Sequence, residues 1–310
     1  MSEEEVHDEP SPVEGRLIDA HCLLLDTPES RDIVYNHTAF CQTSLPYRNP
    51  GSVTRILRRN GQISVAFNAG YLMNSSGDGC LMGLPYGPRA RLVLIHLMTQ
   101  AVLTKSPRVE LENSLTGFAK KLGLASSGRN IRTLREQMQR MAACSVQIML
   151  HSSQEQFQAH ILENLQLFMP KEQNQRVLWP SYVELNAKFF ESLLKHSVPL
   201  DPRALAALKH SSAALDCYQW LAQRLHRVRN PTLVPWTSLF EQLGGTSKTV
   251  RSWKQSFLGK KGRAGVLPQV LMVYPAAKEA IEISGRGLIL SQAEPPIPRW
   301  GKVQRGRYLT

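Results

Sequence analysis

Two distant stretches of this 310-residue chain carry one pattern, and that repeat constrains the fold more than any other feature. In SSGRNIRTLREQMQRM (126–141) the apolar residues are Ile131, Leu134, Met138 and Met141; in SKTVRSWKQSF (247–257) they are Val250, Trp253 and Phe257. Spacings of three and four put each set on one face of a helix. Allowing a two-residue gap after the preceding Leu122-Gly123 and Leu243-Gly244, Ile131 falls on Val250, Leu134 on Trp253 and Met138 on Phe257. Each stretch follows a short helical segment ending in glycine and precedes strand-like runs, an order that predicts a winged helix twice. The expected fold is α+β: two tandem winged-helix domains related by an internal repeat, with a small β-rich N-terminal element and disordered tails.

Packing does not dictate the opposite faces, yet they also agree: Arg129 falls on Lys248, Arg132 on Arg251, Thr133 on Ser252 and Glu136 on Gln255. Arg and Lys reach phosphates and guanine edges; Ser, Thr, Asn and Gln serve phosphates and adenine edges. The expected DNA-binding set in the first copy is Ser126, Ser127, Arg129, Asn130, Arg132, Thr133, Arg135, Glu136 and Arg140. In the second it is Ser247, Lys248, Thr249, Arg251, Ser252, Lys254, Gln255 and the loop cations Lys260, Lys261 and Arg263. Ser126 or Ser127, and Ser247, are the expected helix caps, which leave N-terminal amides free to face a phosphate.

Around this repeat the chain divides into a mobile acidic tail (1–30), an N-terminal winged-helix domain with a β-rich entry (31–185), a connector helix (186–198), a C-terminal winged-helix domain (199–291) and a basic tail (292–310). In the entry region Gln62 to Phe67 alternates as a strand, with Tyr71 to Met73 as its expected hairpin partner. PRARLVLIHLMTQAVLTK (88–105) is apolar nearly all round, which predicts a helix at a domain centre, with His96 a core or boundary residue. SSAALDCYQWLAQRLHRV (211–228) predicts a second such helix, with Leu215, Tyr218, Leu221 and Leu225 inside.

The 37 basic residues outnumber 25 acidic ones, and six of those acids lie in the first fifteen residues, so the rest of the chain stands at +18. That balance suits a polyanionic partner. Five scattered cysteines form no metal-ligand spacing and read as reduced thiols, so no metal or cofactor is expected. An acidic start and the lack of a long apolar run lead us to expect a soluble, cytoplasmic protein without membrane contact. LGGTSKT is not a phosphate-binding P-loop, no histidine pair has the one-residue spacing of rolling-circle nucleases, and no GxSxG occurs; we expect no enzyme.

FCQTSLPYR (40–48), GLPYGPRARLVLIHL (83–97), SLTGFAKKLGL with GRNIRTLREQMQRM, and WPSYVEL (179–185) closely resemble the RepA family of bacterial plasmid replication proteins, from about residue 32 to 291. The resemblance implies an initiator that binds repeats (iterons) at an origin in double-stranded DNA, helps open the adjacent duplex and recruits the host initiator and replicative helicase. It also implies a monomer–dimer equilibrium and autorepression, with residues 60–83 near dimer contacts. A two-headed winged-helix transcriptional regulator would use the same residues, and an RNA-binding or architectural protein is a further alternative.

Overall fold

The computed structural model describes residues 11–27, 32–73, 77–151, 154–163, 179–244, 247–260 and 263–298. Helix α1 (Pro12–Asp26) leads into strand β1 (Val34–His37) and the short α2 (Thr38–Gln42). The entry region then holds β2 (Arg55–Asn60), β3 (Ile63–Asn68), β4 (Tyr71–Met73) and β5 (Gly79–Leu81). The first helix group follows: α3 (Gly87–Thr104), β6 (Arg108–Glu110), α4 (Leu115–Lys121), α5 (Gly128–Ala143), β7 (Ser145–Leu150) and β8 (Glu155–His160). After β9 (Tyr182–Glu184), helix α6 (Ala187–His196) and β10 (Ser197–Leu200) lead to α7 (Pro202–Leu208). The second group comprises α8 (Ser212–Arg224), β11 (Thr232–Pro235), α9 (Trp236–Leu243), α10 (Val250–Leu258), the small strands β12 (Gly259–Lys260) and β13 (Arg263–Ala264), α11 (Val266–Val273), β14 (Ile281–Ile283) and β15 (Gly287–Leu290).

The fold is α+β, with two hydrophobic cores. The first gathers Phe67, Leu97, Met98, Phe118, Leu134, Met138 and Phe189 between α3, α4, α5, α6 and the antiparallel sheet β2-β3-β7-β8. The second gathers Leu17, Tyr218, Trp220, Leu221, Trp253, Phe257 and Val270 around α8, beside the antiparallel sheet β11-β15-β14. Each fully buried side chain of this size contributes about 1.5–3 kcal/mol of transfer free energy. Helix α3 is buried on nearly every side because it serves both cores: Leu97 and Met98 face the first and Ile95 the second. Helix α8 is more enclosed still, with Ser212 and every residue from Ala214 to Gln223 buried.

Three expectations change. The segment expected as a mobile tail forms α1 from Pro12, because Ser11 and Glu14 cap each other's backbone in a capping box; Leu17 and Ala20 then seat it on the second core. Strand β3 pairs with β2 and β7, while Tyr71–Met73 pairs with Gly79–Leu81. The expected connector helix appears as α6, but Phe189 and Leu193 bury it in the first core. Strand β10 then pairs with β1, so the link is clamped at both ends. Residues 1–10 and the cations Arg299, Lys302, Arg305 and Arg307 of the basic tail lie outside the described residues.

Candidate nucleic-acid interface

Helix α5 starts where Ser127 caps it, its side chain accepting from the Asn130 amide at 3.4 Å, as the sequence predicts. Leu134, Met138 and Met141 are fully buried and Ile131 is half-buried. On the other side Arg129, Arg132 and Arg135 are exposed and form no ion pair or hydrogen bond through their side chains among the described residues; Ser126 is exposed beside them. At three-residue intervals these arginines run diagonally over about 120° of the helix surface.

The rest of the expected set on α5 is engaged elsewhere. Glu136 accepts from Arg140 Nε at 2.9 Å, Arg140 Nη1 donates to the Leu84 carbonyl at 3.0 Å, and the guanidinium lies 5.0 Å from the Tyr86 ring centroid. Tyr86 Oη also donates to Glu136 at 3.4 Å. Glu136 and Arg140 therefore pin α5 to the segment before α3. Gly83 makes room for them: its φ is +71°, in the left-handed region, and a Cβ there would lie 2.6 Å from Arg140 Nη1. Asn130 donates to the Ala125 carbonyl and accepts from Arg89, and Thr133 Oγ1 donates to the Arg129 carbonyl.

Helix α10 is shorter and held differently. Its cap is Thr249, not Ser247: the Thr249 hydroxyl accepts from the Ser252 amide at 3.2 Å. Trp253 and Phe257 are buried, stacked at 4.8 Å between centroids, and Trp253 Nε1 donates to the Leu243 carbonyl at the end of α9. That bond closes α9 where Gly123 closes α4 by adopting a φ of +66°; Gly244 stays right-handed. Lys254 sits 4.4 Å over the Trp236 ring, half-buried, and Ser252 bonds back to Thr249. Lys248, Arg251, Gln255 and Lys260 are exposed and make no side-chain bond among the described residues, and Ser247 is half-buried. Lys261 lies outside the described residues, as does the side chain of Arg263, whose backbone forms part of β13.

Both helices bury their apolar stripe, Leu134 and Met138 in α5 and Trp253 and Phe257 in α10. Beyond them the match is partial. Lys248 and Thr249 precede α10, whereas Arg129 and Asn130 lie inside the first turn of α5. What both helices share is an exposed guanidinium near the N-terminal end, Arg132 one turn into α5 and Arg251 at the second residue of α10, with no free carboxylate on either helix: Glu136 is already paired and α10 has none. Such faces attract phosphates.

Sequence reasoning missed how the halves are joined. Arg91 of α3 grips Asp216 of α8 in a bidentate pair, Nε to Oδ1 at 2.6 Å and Nη2 to Oδ2 at 2.7 Å. Its remaining N–H groups donate to the carbonyls of Leu45, Pro46 and Gly87, so all five donors are used. Ser44 and Tyr47 donate to the carbonyls of Gln242 and Leu243 at 3.1 and 2.8 Å, holding the end of α9. The motifs FCQTSLPYR and GLPYGPRAR thus form the joint. An arginine in an otherwise apolar helix and an aspartate in another were the available signals.

Two histidines are kept neutral by burial. His37 is lowered to about 3, by desolvation and then by His196; its Nδ1 accepts from the Ala39 amide, which leaves the proton on Nε2 facing Ser192 Oγ at 3.1 Å. His96 is lowered to about 4 by desolvation and by Lys121, and stands edge-on to Phe118 at 5.3 Å. Among the described residues no group of three or more His, Cys, Asp or Glu could hold a metal ion, and no helix is long and apolar enough to cross a membrane. Cys41, Cys144 and Cys217 are buried thiols; Cys22 and Cys80 are exposed.

The fold defines an α+β protein whose two cores each present a helix with an exposed basic side. By comparison, residues 84–236 match the family described as plasmid encoded RepA protein, and the match supports a RepA-family replication initiator. The matched segment contains α5 and ends at the start of α9, so α10 lies outside it. A crystal structure of domains 2 and 3 of RctB, solved as selenomethionine derivatives, is similar at 13% identity and a TM-score of 0.48, covering 83% of this chain and 99% of that one. A second RctB structure, of domains 2-3, has 13% identity and a TM-score of 0.46, covering 80% and 84%. No curated protein matches the chain.

Proposed function

We propose that the chain initiates plasmid replication by binding repeated origin sites in double-stranded DNA through two winged helices, the α4–α5 and α9–α10 units, with β7–β8 and β14–β15 as the wings. The observation that carries this is the pair of helices with buried apolar stripes and unneutralised guanidinium groups on the outside, in a chain whose central segment matches the RepA family. Arg129, Arg132, Arg135, Lys248, Arg251 and Gln255 reach bases or phosphates; Lys260 and Lys261 add backbone contacts. The helices enter successive major grooves, with half-sites about one helical turn apart. Opening of the neighbouring duplex, recruitment of the host initiator and helicase, a monomer–dimer equilibrium and autorepression are drawn from the family resemblance, and no catalytic step is assigned to the chain.

Footprinting on the DNA flanking the gene tests the reading. A protected array of repeats supports initiation, a single operator supports a transcriptional regulator, and uniform protection of unrelated duplexes would sink site-specific recognition altogether.

A further inference from the structure

A cleft of about 570 Å³ opens between the end of the first sheet and the chain that follows α8. Its size is that of a small-molecule site, about 300–1,000 Å³. Arg224, Arg227 and Arg229 line it together with His196 at the end of α6, and among the described residues no Asp or Glu does. None of the three arginines forms an ion pair among the described residues. Arg224 Nε is buried without a hydrogen-bond partner, and its guanidinium lies 5.8 Å from the Trp220 ring. Arg227 Nε donates to His226 Nε2 at 3.2 Å, and its terminal nitrogens make no hydrogen bond among the described residues. Arg229 and Asn230 are exposed at the rim.

Three like charges around one concavity repel each other, and an unmet buried N–H adds to the cost. A group with several anionic oxygens removes both penalties, and the planar fork of a guanidinium matches phosphate geometry. We propose that this cleft is a phosphate-binding site separate from α5 and α10, with Arg224, Arg227 and Arg229 as its donors. The phosphate belongs either to the DNA backbone or to a free phosphorylated small molecule such as a nucleoside diphosphate. Only the first source rests on the reading of the chain as a DNA binder.

The test uses the full chain, the R227Q/R229Q variant and, as a companion, R132Q/R251Q on the two helices. Arg227 and Arg229 are exposed, so their replacement leaves the packing intact; Arg229→Gln alone serves if the double variant melts early. Each protein is melted with and without sodium pyrophosphate or ADP, and titrated with a random-sequence duplex across a salt series. With a free ligand, pyrophosphate or ADP raises the melting temperature of the wild type and of R132Q/R251Q by a few degrees and leaves R227Q/R229Q unmoved. With DNA as the source, R227Q/R229Q lowers the salt slope on every duplex by about two, one for each lost phosphate contact. If the cleft variant keeps both the wild-type anion shift and the wild-type slope, or the wild type shows neither response, the cleft is not a phosphate site. A wild type that ignores DNA but responds to pyrophosphate through these arginines would overturn the DNA reading and leave this site standing.

Discussion

Helices α5 and α10 present similar basic sides but are anchored by different chemistry. The sixteen residues of α5 sit on thioether and aliphatic side chains, and the helix is fixed to the start of α3 by Glu136, Arg140 and Tyr86. Gln137 adds to that contact by accepting from the Tyr86 amide at 2.7 Å. The nine residues of α10 sit on an aromatic cluster of Trp236, Phe240, Trp253 and Phe257, with one indole closing the preceding helix. A stripe position recurs without its side-chain type, and an exposed arginine recurs without its neighbours' roles. The difference teaches that a charge on the wet face of one copy is informative only after its partners are counted. Arg140 belongs to the expected DNA-binding set and is already tied to Glu136 and the Leu84 carbonyl within the fold.

The largest effect that bears on this comparison belongs to the joint between the halves. Asp216→Ala leaves Arg91 buried and unpaired, and should cost about 3–5 kcal/mol in urea unfolding. Two separate transitions in the variant where the wild type shows one would mark the halves as coupled through that pair; an unchanged midpoint would remove it from the account. Acid separates the cores next. His37 and His96 both pack against first-core aromatics, and their folded pKa values lie below the unfolded value of about 6.5. The unfolded chain therefore binds more protons as pH falls. Stability is whole above about 6.5 and declines towards pH 4 and then 3, by up to about 1.4 kcal/mol per pH unit for each histidine. Hydrogen exchange at pH 5 against pH 7 should show the first core loosening more than the second, and equal loosening would contradict the assignment.

Binding comes third. Arg132→Ala and Arg251→Ala should each weaken specific binding by about 1–3 kcal/mol and relax the sequence preference at one position. Arg140→Ala should melt earlier yet bind as the wild type once folded; a gel-shift loss equal to that of Arg132→Ala would return it to the interface. Smallest is Lys260→Gln, expected to reduce the salt slope by about one on all duplexes alike.

Local patterns were legible in the sequence where local physics decides. The stripes of α5 and α10, the enclosed helices α3 and α8, the Ser127 cap and the strands β14 and β15 all follow from periodicity and end signals. Helix α1 was equally legible, since Ser11-Pro12-Val13-Glu14 is a capping box with proline at the first helical position, but the acids around it suggested a tail. The cap of α10 falls on Thr249 instead of the expected Ser247, because both side chains are competent and only the path of the backbone selects between them. Strand partners were not legible: β3 lies far in sequence from β7, and nothing in YLM shows that it prefers GCL to the strand before it. The bond between Arg91 and Asp216 spans 125 positions and obeys no spacing rule. The cleft arginines carry no pattern either, since their significance lies in the acids that are missing around them.

Strand β10 against β1 and the guanidinium of Arg91 have a mechanical consequence. If α5 and α10 read DNA as proposed, two heads on a loose tether would tolerate any gap between their targets, whereas heads bolted through a buried ion pair and a clamped strand would behave as a ruler. A chain built this way would not follow a half-turn insertion between its half-sites, because twisting one head relative to the other means pulling a charged pair out of a dry interior. The spacing of the DNA sites would then be written into α3 and α8, far from any residue that touches a base.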